Sequence, residues 1–321
     1  MVHNAKTPRT PVLKEVYTMI GKLEGLMLGS LLGDAYSLGA HWIYDTDRID
    51  ELYGTPEGLT NPLPDSFHPG KTAGDQSPYG DQILILMESL LQCRTFDQGD
   101  FTARWKKTMT EYPGYQDHAT KVTLQNLSRK NPPVPSGSTS TDLSAASRIA
   151  PLAVLYHEDL PSLVDAARSQ SAVTHNSPGV LEAADFFARV LYRVLGGEHP
   201  TLAMHQVISQ GLYSKQTTDY INAGLNHTTA STRQAVADFG QACGISGALP
   251  STVYIIKKHE GSFLHALEQN LLAGGDSCAR GLAIGMILGA FHGASALPDS
   301  WLSQLKAKDE VVHFLDSVIL R

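Results

Sequence analysis

Gly25-Leu-Met-Leu-Gly29-Ser-Leu-Leu-Gly33-Asp34 sets three glycines four residues apart, and the stretch from Gly281 through Gly285 and Gly289 to Gly293 repeats that spacing late in the chain. Four-residue spacing places the glycines on one face of a helix. Each costs a helix about 1 kcal/mol relative to alanine, and close backbone approach by a second helix is the simplest compensation. The two stretches, near residues 22–41 and 277–294, therefore read as packing partners that bring the neighbouring acids Asp34 and Asp276 towards one site.

The late stretch, GLAIGMILGAFHGASAL from Gly281 to Leu297, is nearly all apolar with glycines at membrane-dimer spacing. It is slightly short for a span and contains His292, so a buried core helix is the expected state. Working outward, helical periodicity recurs after residue 155 in segments such as LPSLVDAARSQ and SPGVLEAADFFARVLYRVLGG. Ser177-Pro178 reads as a helix start, Gly196-Gly197 as a left-handed helix end, and Thr174-His175 as a helix-start pair. No alternating strand series appears, so the chain is expected to be all-α, with ten or so helices packed on each other. Residues 53–80, rich in Gly, Pro and Asp, and residues 129–144, rich in Pro and Ser, break the rhythm and read as long loops at the rim of a site.

With 321 residues the chain is long enough for a large core. Its hydrophobic share of 42% and charged share of 18% are those of a globular protein, and a net charge of -7 gives no electrostatic reason to expect nucleic acid. Cys93, Cys243 and Cys278 are odd in number and widely spaced, which suggests neither a disulfide framework nor a zinc site and makes a reducing cytoplasm the default. The opening residues carry no apolar run of signal-peptide length, so residues 1–16 read as a short disordered arm, residues 17–321 as one domain, and secretion is not expected.

Three aspartates sit at the ends of, or breaks in, apolar helices. Asp34 interrupts an apolar run and must be paired, hydrogen-bonded, facing a cleft or bound to a cation. Asp81 stands at an N-cap position before ILILMESLL, in a stretch that repeats Gly-Asp-Gln at residues 74–76 and 80–82. Asp276, or Ser277 beside it, caps the late helix after the tight turn of Gly274-Gly275. Such a trio is how a helical bundle gathers oxygen ligands for a divalent cation. Cys278 falls in the first turn near Arg280, where it is either a reactive thiol of lowered pKa or a small buried cysteine.

These motifs resemble those of the ADP-ribosylglycohydrolase family along nearly the whole chain. The resemblance rests on Gly25-x3-Gly29-x3-Gly33-Asp34-Ala35, Arg148-Ile-Ala-Pro151-Leu152, Thr174-His175, and Gly274-Gly275-Asp276 leading to Gly289-Ala290 and Leu297-Pro298 with Trp301. Gly39-Ala40-His41-Trp42-Ile43-Tyr44, Tyr112-Pro113-Gly114-Tyr115-Gln116-Asp117 and Asp276-Ser277-Cys278-Ala279-Arg280 point more narrowly to the branch related to the J-type crystallins.

The resemblance implies a large orthogonal helical bundle that removes ADP-ribose from modified side chains or related acceptors, with one or two magnesium ions in a central cleft. It implies small-molecule or ADP-ribosylated partners, with no nucleic acid and no membrane. Carried over position by position, it gives Asp34, His41, Asp81 and Asp276 as catalytic residues and Asp81, Asp276 and Ser277 as metal ligands. Tyr79, Gly80, Ser144, Gly274, Gly275, Cys278 and Arg280 follow as substrate contacts.

The match is incomplete where the chemistry lies. The family's Thr-Asp-Asp-Thr aligns with Tyr79-Gly80-Asp81-Gln82, its Asp-x-Asp-Ser/Thr with Asp276-Ser277-Cys278-Ala279, and a frequent glutamate with His41. Each lost carboxylate removes a ligand and a charge from a magnesium site. Three outcomes stay open: one cation held by Asp81, Asp276 and Ser277; a metal-free site using His41 and an aspartate, with Arg280 or Cys278 at the former metal position; or a non-catalytic crystallin-like or nucleotide-binding descendant.

Overall fold

The computed structural model describes residues 11–54, 56–229 and 231–319, with side chains from Thr18 onward. Among them are sixteen α-helices and no strand: α1 (Pro11–Ser37), α2 (Thr46–Tyr53), α3 (Pro78–Cys93), α4 (Gln98–Thr110), α5 (His118–Leu127), α6 (Ala150–Leu155), α7 (Leu160–Thr174), α8 (Pro178–Leu195), α9 (Pro200–Ile208), α10 (Lys215–Asn226), α11 (Thr232–Phe239), α12 (Ile245–Lys258), α13 (Phe263–Leu272), α14 (Ser277–His292), α15 (Asp299–Leu302) and α16 (Lys308–Ile319). The all-α class holds, with more helices than periodicity suggests. Pieces such as α6 and α15, six and four residues long, are too short to show a period. α1 takes in residues 11–16, read from sequence as part of the arm, while residues 1–10 lie outside the described residues.

α1 and α14 lie antiparallel at the centre, and the glycine reading holds residue by residue. A Cβ on Gly25 would stand 2.3 Å from the Gly289 carbonyl oxygen, one on Gly29 2.5 Å from that of Gly285, and one on Gly33 2.0 Å from that of Gly281. No side chain fits between these backbones, so the packing compensates for the poor helix propensity. Every residue from Ser277 to Ala290 is buried, which is why α14 is apolar all round. No helix among the described residues is long and apolar enough to cross a membrane.

The antiparallel register sets the C-terminal turn of α1, with Asp34 and Ser37, beside the N-terminus of α14, with Asp276 and Ser277. Ser37 and Ser277 are tied together by Asn270, whose Nδ2 donates to Ser37 Oγ (3.1 Å) and to the Ser277 carbonyl (2.8 Å). Local punctuation completes the frame. Asp45, Asp97, Asp117, Asp159 and Asp276 each accept a backbone N–H at the start of a helix. Ser177-Pro178 opens α8 as expected, and beyond its end only Gly197 is left-handed (φ 101°). Thr174-His175 ends α7 rather than starting a helix.

Candidate functional site

Asp276 is the N-cap of α14 and is wholly buried. Its Oδ1 accepts from His41 Nε2 (2.9 Å) and from the Ala279 N–H (3.3 Å), and its Oδ2 accepts from the Tyr79 hydroxyl (3.3 Å). Burial pushes this carboxyl up, but the bond and charge of His41, then Arg280 and the helix amide, outweigh burial and hold it below the usual carboxylate range. His41 follows the short 3-10 turn Leu38–Ala40 that ends α1, and its Nδ1 lies 3.0 Å from His68 Nε2. Burial, then the neighbouring His41 and Lys71, push His68 down to about 3, so at neutral pH it is uncharged, with a buried Nδ1 that has no partner. Asp276, His41 and His68 thus form a hydrogen-bonded line in which His41 Nε2 donates to Asp276 and His41 Nδ1 faces His68 Nε2.

The loop carrying His41 is fixed by the glycine pair. Gly274 and Gly275 are left-handed (φ 69° and 71°), a Cβ on Gly275 would strike the Gln241 carbonyl at 2.2 Å, and Gly275 exchanges backbone bonds with Trp42 N (2.9 Å) and the Ile43 carbonyl (2.8 Å). Their role is to hold Trp42, itself at φ 66°, against His41 with ring centroids 4.3 Å apart. Arg280 is completely buried behind them, donating to Asn270 Oδ1 (2.9 Å) and to the Gly274 carbonyl, so it braces the turn. Ser144 is also buried, in the 3-10 turn Leu143–Arg148, with no partner for its hydroxyl.

Asp34 is close to this line but serves another element. Its carboxylate accepts from Ser77 N (2.7 Å) and Ser77 Oγ (2.6 Å) at the N-terminus of α3, where the helix dipole favours a negative group. Burial still pushes it up to about 7. A Cβ on Gly80 would lie 2.4 Å from Asp34 Oδ2, so Gly80 makes room for that carboxylate. Cys278 is buried, with Sγ 3.5 Å from the Asp34 carbonyl. Burial, then Asp34 and Asp276, push its thiol well above the ordinary value, the direction of a small buried cysteine and opposite to that of a reactive thiol.

Asp81 does not join Asp276. The N-cap of α3 is Ser77, which puts Asp81 in the first turn and on another face. There Lys71 Nζ (2.6 Å) and the Tyr112 hydroxyl hold it, beside a separate cavity of about 190 Å³ shared with Asp75, Lys306 and Glu310. A shared cation site is therefore not assembled. Both Asp276 oxygens are engaged, Asp81 is neutralised by an ammonium, and Ser277 Oγ donates to the Ser37 carbonyl (3.3 Å). Among the described residues no group of three or more His, Cys, Asp or Glu is arranged to hold a metal ion. The donor set present does not fit magnesium, which needs several free oxygen ligands.

Tyr79 connects the buried line to open space. It lines a cavity of about 280 Å³ with Trp42, Tyr44, Phe67, Tyr115, Asp117, His118, Asp142 and Cys243. Most of these have no role in the sequence reading, although Trp42, Tyr44, Tyr115 and Asp117 lie within its motifs. Both interrupted stretches do reach the cavity: residues 53–80 supply Phe67 and Tyr79, and residues 129–144 supply Asp142. The available signal was aromatic density beside those stretches, at residues 42–44 and 112–115.

The model of the ADP-ribosylglycohydrolase family matches residues 17–321. Crystallin J1A of Tripedalia cystophora is 22% identical over 316 residues, covering 92% of this chain and 96% of its own length. An uncharacterised protein of Archaeoglobus fulgidus is 26% identical over 297 residues, covering 90% and 92%. A solved structure described as an ADP-ribosylglycohydrolase-related protein complex superposes with a TM-score of 0.71 at 21% identity, over 95% of this chain and 99% of that one, and supports the fold. The family is generally metal-dependent, which makes the engaged carboxylates described above a departure within it. The chain belongs to the ADP-ribosylglycohydrolase family, in the branch that includes the J-crystallins.

Proposed function

We propose that this protein is a hydrolase of an ADP-ribosyl or related glycosidic bond whose proton chemistry runs through Tyr79, Asp276 and His41 in place of a magnesium centre. Family membership supports a hydrolase-like function. The observation that carries the finer reading is that Tyr79, a residue of the cavity lining, donates its hydroxyl to Asp276, which in turn bonds to His41.

A water attacking the anomeric carbon passes its proton to the Tyr79 oxygen as Tyr79 gives its own to Asp276 Oδ2. The hydroxide adds to carbon as the glycosidic bond breaks with its electron pair on the leaving group. The proton held on the Asp276–His41 pair, with His68 Nε2 against His41 Nδ1, then returns to that leaving group through the Tyr79 hydroxyl. In this reading Asp34 and Arg280 position the machinery, and Asp81 anchors the neighbouring loop.

The test is release of ADP-ribose from ADP-ribosylated arginine, ADP-ribosylated serine and small ADP-ribose conjugates, with magnesium and with a chelator. Turnover that survives chelation and is lost in His41→Ala is expected. No release from any substrate overturns the hydrolase reading, and loss of release on chelation overturns the metal-free chemistry. One observation favours a second reading: the side chains of His41 and Asp276 have no exposed surface. A non-catalytic, crystallin-like or nucleotide-binding descendant would bind ADP-ribose without turnover, unchanged in Asp276→Asn.

A further inference from the structure

The cavity beside Tyr79 has two kinds of wall. Trp42, Phe67 and Tyr115 meet edge to face, with centroids 5.5 Å apart for Trp42 and Phe67, 5.2 Å for Trp42 and Tyr115, and 5.3 Å for Phe67 and Tyr115. Tyr44 and Phe67 remain 50% and 56% exposed, so aromatic surface stands uncovered at the mouth. The other wall carries Asp117 and Asp142. Asp117 accepts the Thr120 N–H (2.6 Å), and Asp142 is hydrogen-bonded by Ser140 and the Cys243 thiol, all neutral donors. No lysine or arginine lines the cavity, and among the described residues neither carboxylate is in an ion pair.

We infer that this cavity is a binding site for an organic ammonium cation, held by the rings of Trp42, Tyr44, Phe67 and Tyr115 and by the carboxylates of Asp117 and Asp142. Aromatic faces attract a cation through their quadrupole, and carboxylates outside any ion pair add a field of the same sign. Tyr115 already shows the preference, with Lys121 Nζ 5.4 Å from its ring centroid. Burial, then the other carboxylates nearby, push Asp142 up, as expected for an acid that lacks a positive partner. The volume of about 280 Å³ suits a small ligand or the cationic end of a larger one.

The assignment holds whether or not the bound molecule is cleaved, so it stands apart from the hydrolase reading. Three probes of one shape and different charge test it: choline, its uncharged carbon isostere, and the matching tert-butyl carboxylate. Each is titrated into the full chain at constant ionic strength, following tryptophan fluorescence and calorimetric heat. Choline is expected to saturate and to bind at least about tenfold more tightly than either isostere. The Asp117→Asn, Asp142→Asn double variant, which keeps the amide-accepting oxygen that caps α5, is expected to lose that preference.

Phe67→Ala, at an exposed ring, is expected to weaken choline severalfold without unfolding the chain. Equal binding of the neutral isostere, or choline binding unchanged in the double variant, overturns the inference. Failure of the glycosidic substrates with choline binding intact would overturn the hydrolase reading alone.

Discussion

The glycine seam between α1 and α14 and the pocket at its end are built from opposite materials. Along the seam the side chain is absent and the backbones themselves touch, so each position admits one residue type and the pattern repeats every four residues. Around the pocket large rings and acids arrive from separated segments near residues 42–44, 67–68, 79, 115–118, 142 and 243, none of them periodic. The difference separates what holds the fold from what a ligand meets, and each half can be broken without the other.

The largest expected effect is on the seam. Gly33→Val places a branched side chain where a Cβ alone lies 2.0 Å from the Gly281 carbonyl. Overpacking of backbone against backbone should cost about 3 kcal/mol or more, read as a lowered urea midpoint or loss of soluble protein. A variant as stable as the parent would show that the helices are not in register there.

At the pocket end, His41→Ala leaves Asp276 buried without its main partner, which should cost about 3 kcal/mol and abolish any turnover. His41→Gln, able to donate to Asp276 from its amide, should recover part of the stability and none of the activity. Recovery of both would mean that His41 only fills space.

Asp34 gives a smaller, pH-dependent effect at the junction of the two regions. Its folded value near 7 lies above the ordinary 3.8, so between these values the folded protein holds a proton that the unfolded chain releases. The contribution of Asp34 to stability therefore falls as pH rises from about 4 to about 7 and is level above that. Asp276, held below the ordinary range, runs the other way, losing its contribution as pH falls through its folded value. Denaturation of the parent and of Asp34→Asn across this range should show the parent losing ground to the variant with rising pH. Parallel curves would mean that Asp34 is ionised throughout.

The smallest effect is the seam's own control. Gly21 lies on α1 at the loose end of the seam, and a Cβ there meets nothing within 4 Å, so Gly21→Ala should stabilise the helix by up to about 1 kcal/mol.

This contrast also explains what could be read in advance. The seam was legible because its physics is periodic: Gly25, Gly29 and Gly33 state their partner's spacing in their own. Asp276 was legible as a cap for the same local reason. Asp34 and Asp81 looked alike in sequence, each an acid at the edge of an apolar run. Their fates diverged because Ser77, not Asp81, caps α3, turning Asp81 towards Lys71 and leaving Asp34 to accept from Ser77. His68 was not legible, since nothing in its neighbourhood tells that its loop folds back onto His41. Asp142 and Cys243 lie far apart in sequence and meet through the Cys243 thiol and through backbone bonds such as Leu143 N to the Cys243 carbonyl (2.9 Å).

Lys306, just before α16, donates its backbone N–H to the Gly74 carbonyl (3.0 Å) and its ammonium to Thr72 Oγ1 (2.6 Å) and Asp75 Oδ2 (2.7 Å). These bonds pin the long connection between α2 and α3 close to its α3 end, which ties down the arc that carries Phe67 and His68. The configurational freedom of Phe67 and His68 is thereby surrendered when the chain folds, and little of it remains to oppose a ligand that arrives later. A chain cut before Lys306 would keep every residue that lines the pocket and still bind more weakly, because the ordering of that arc would fall to the ligand.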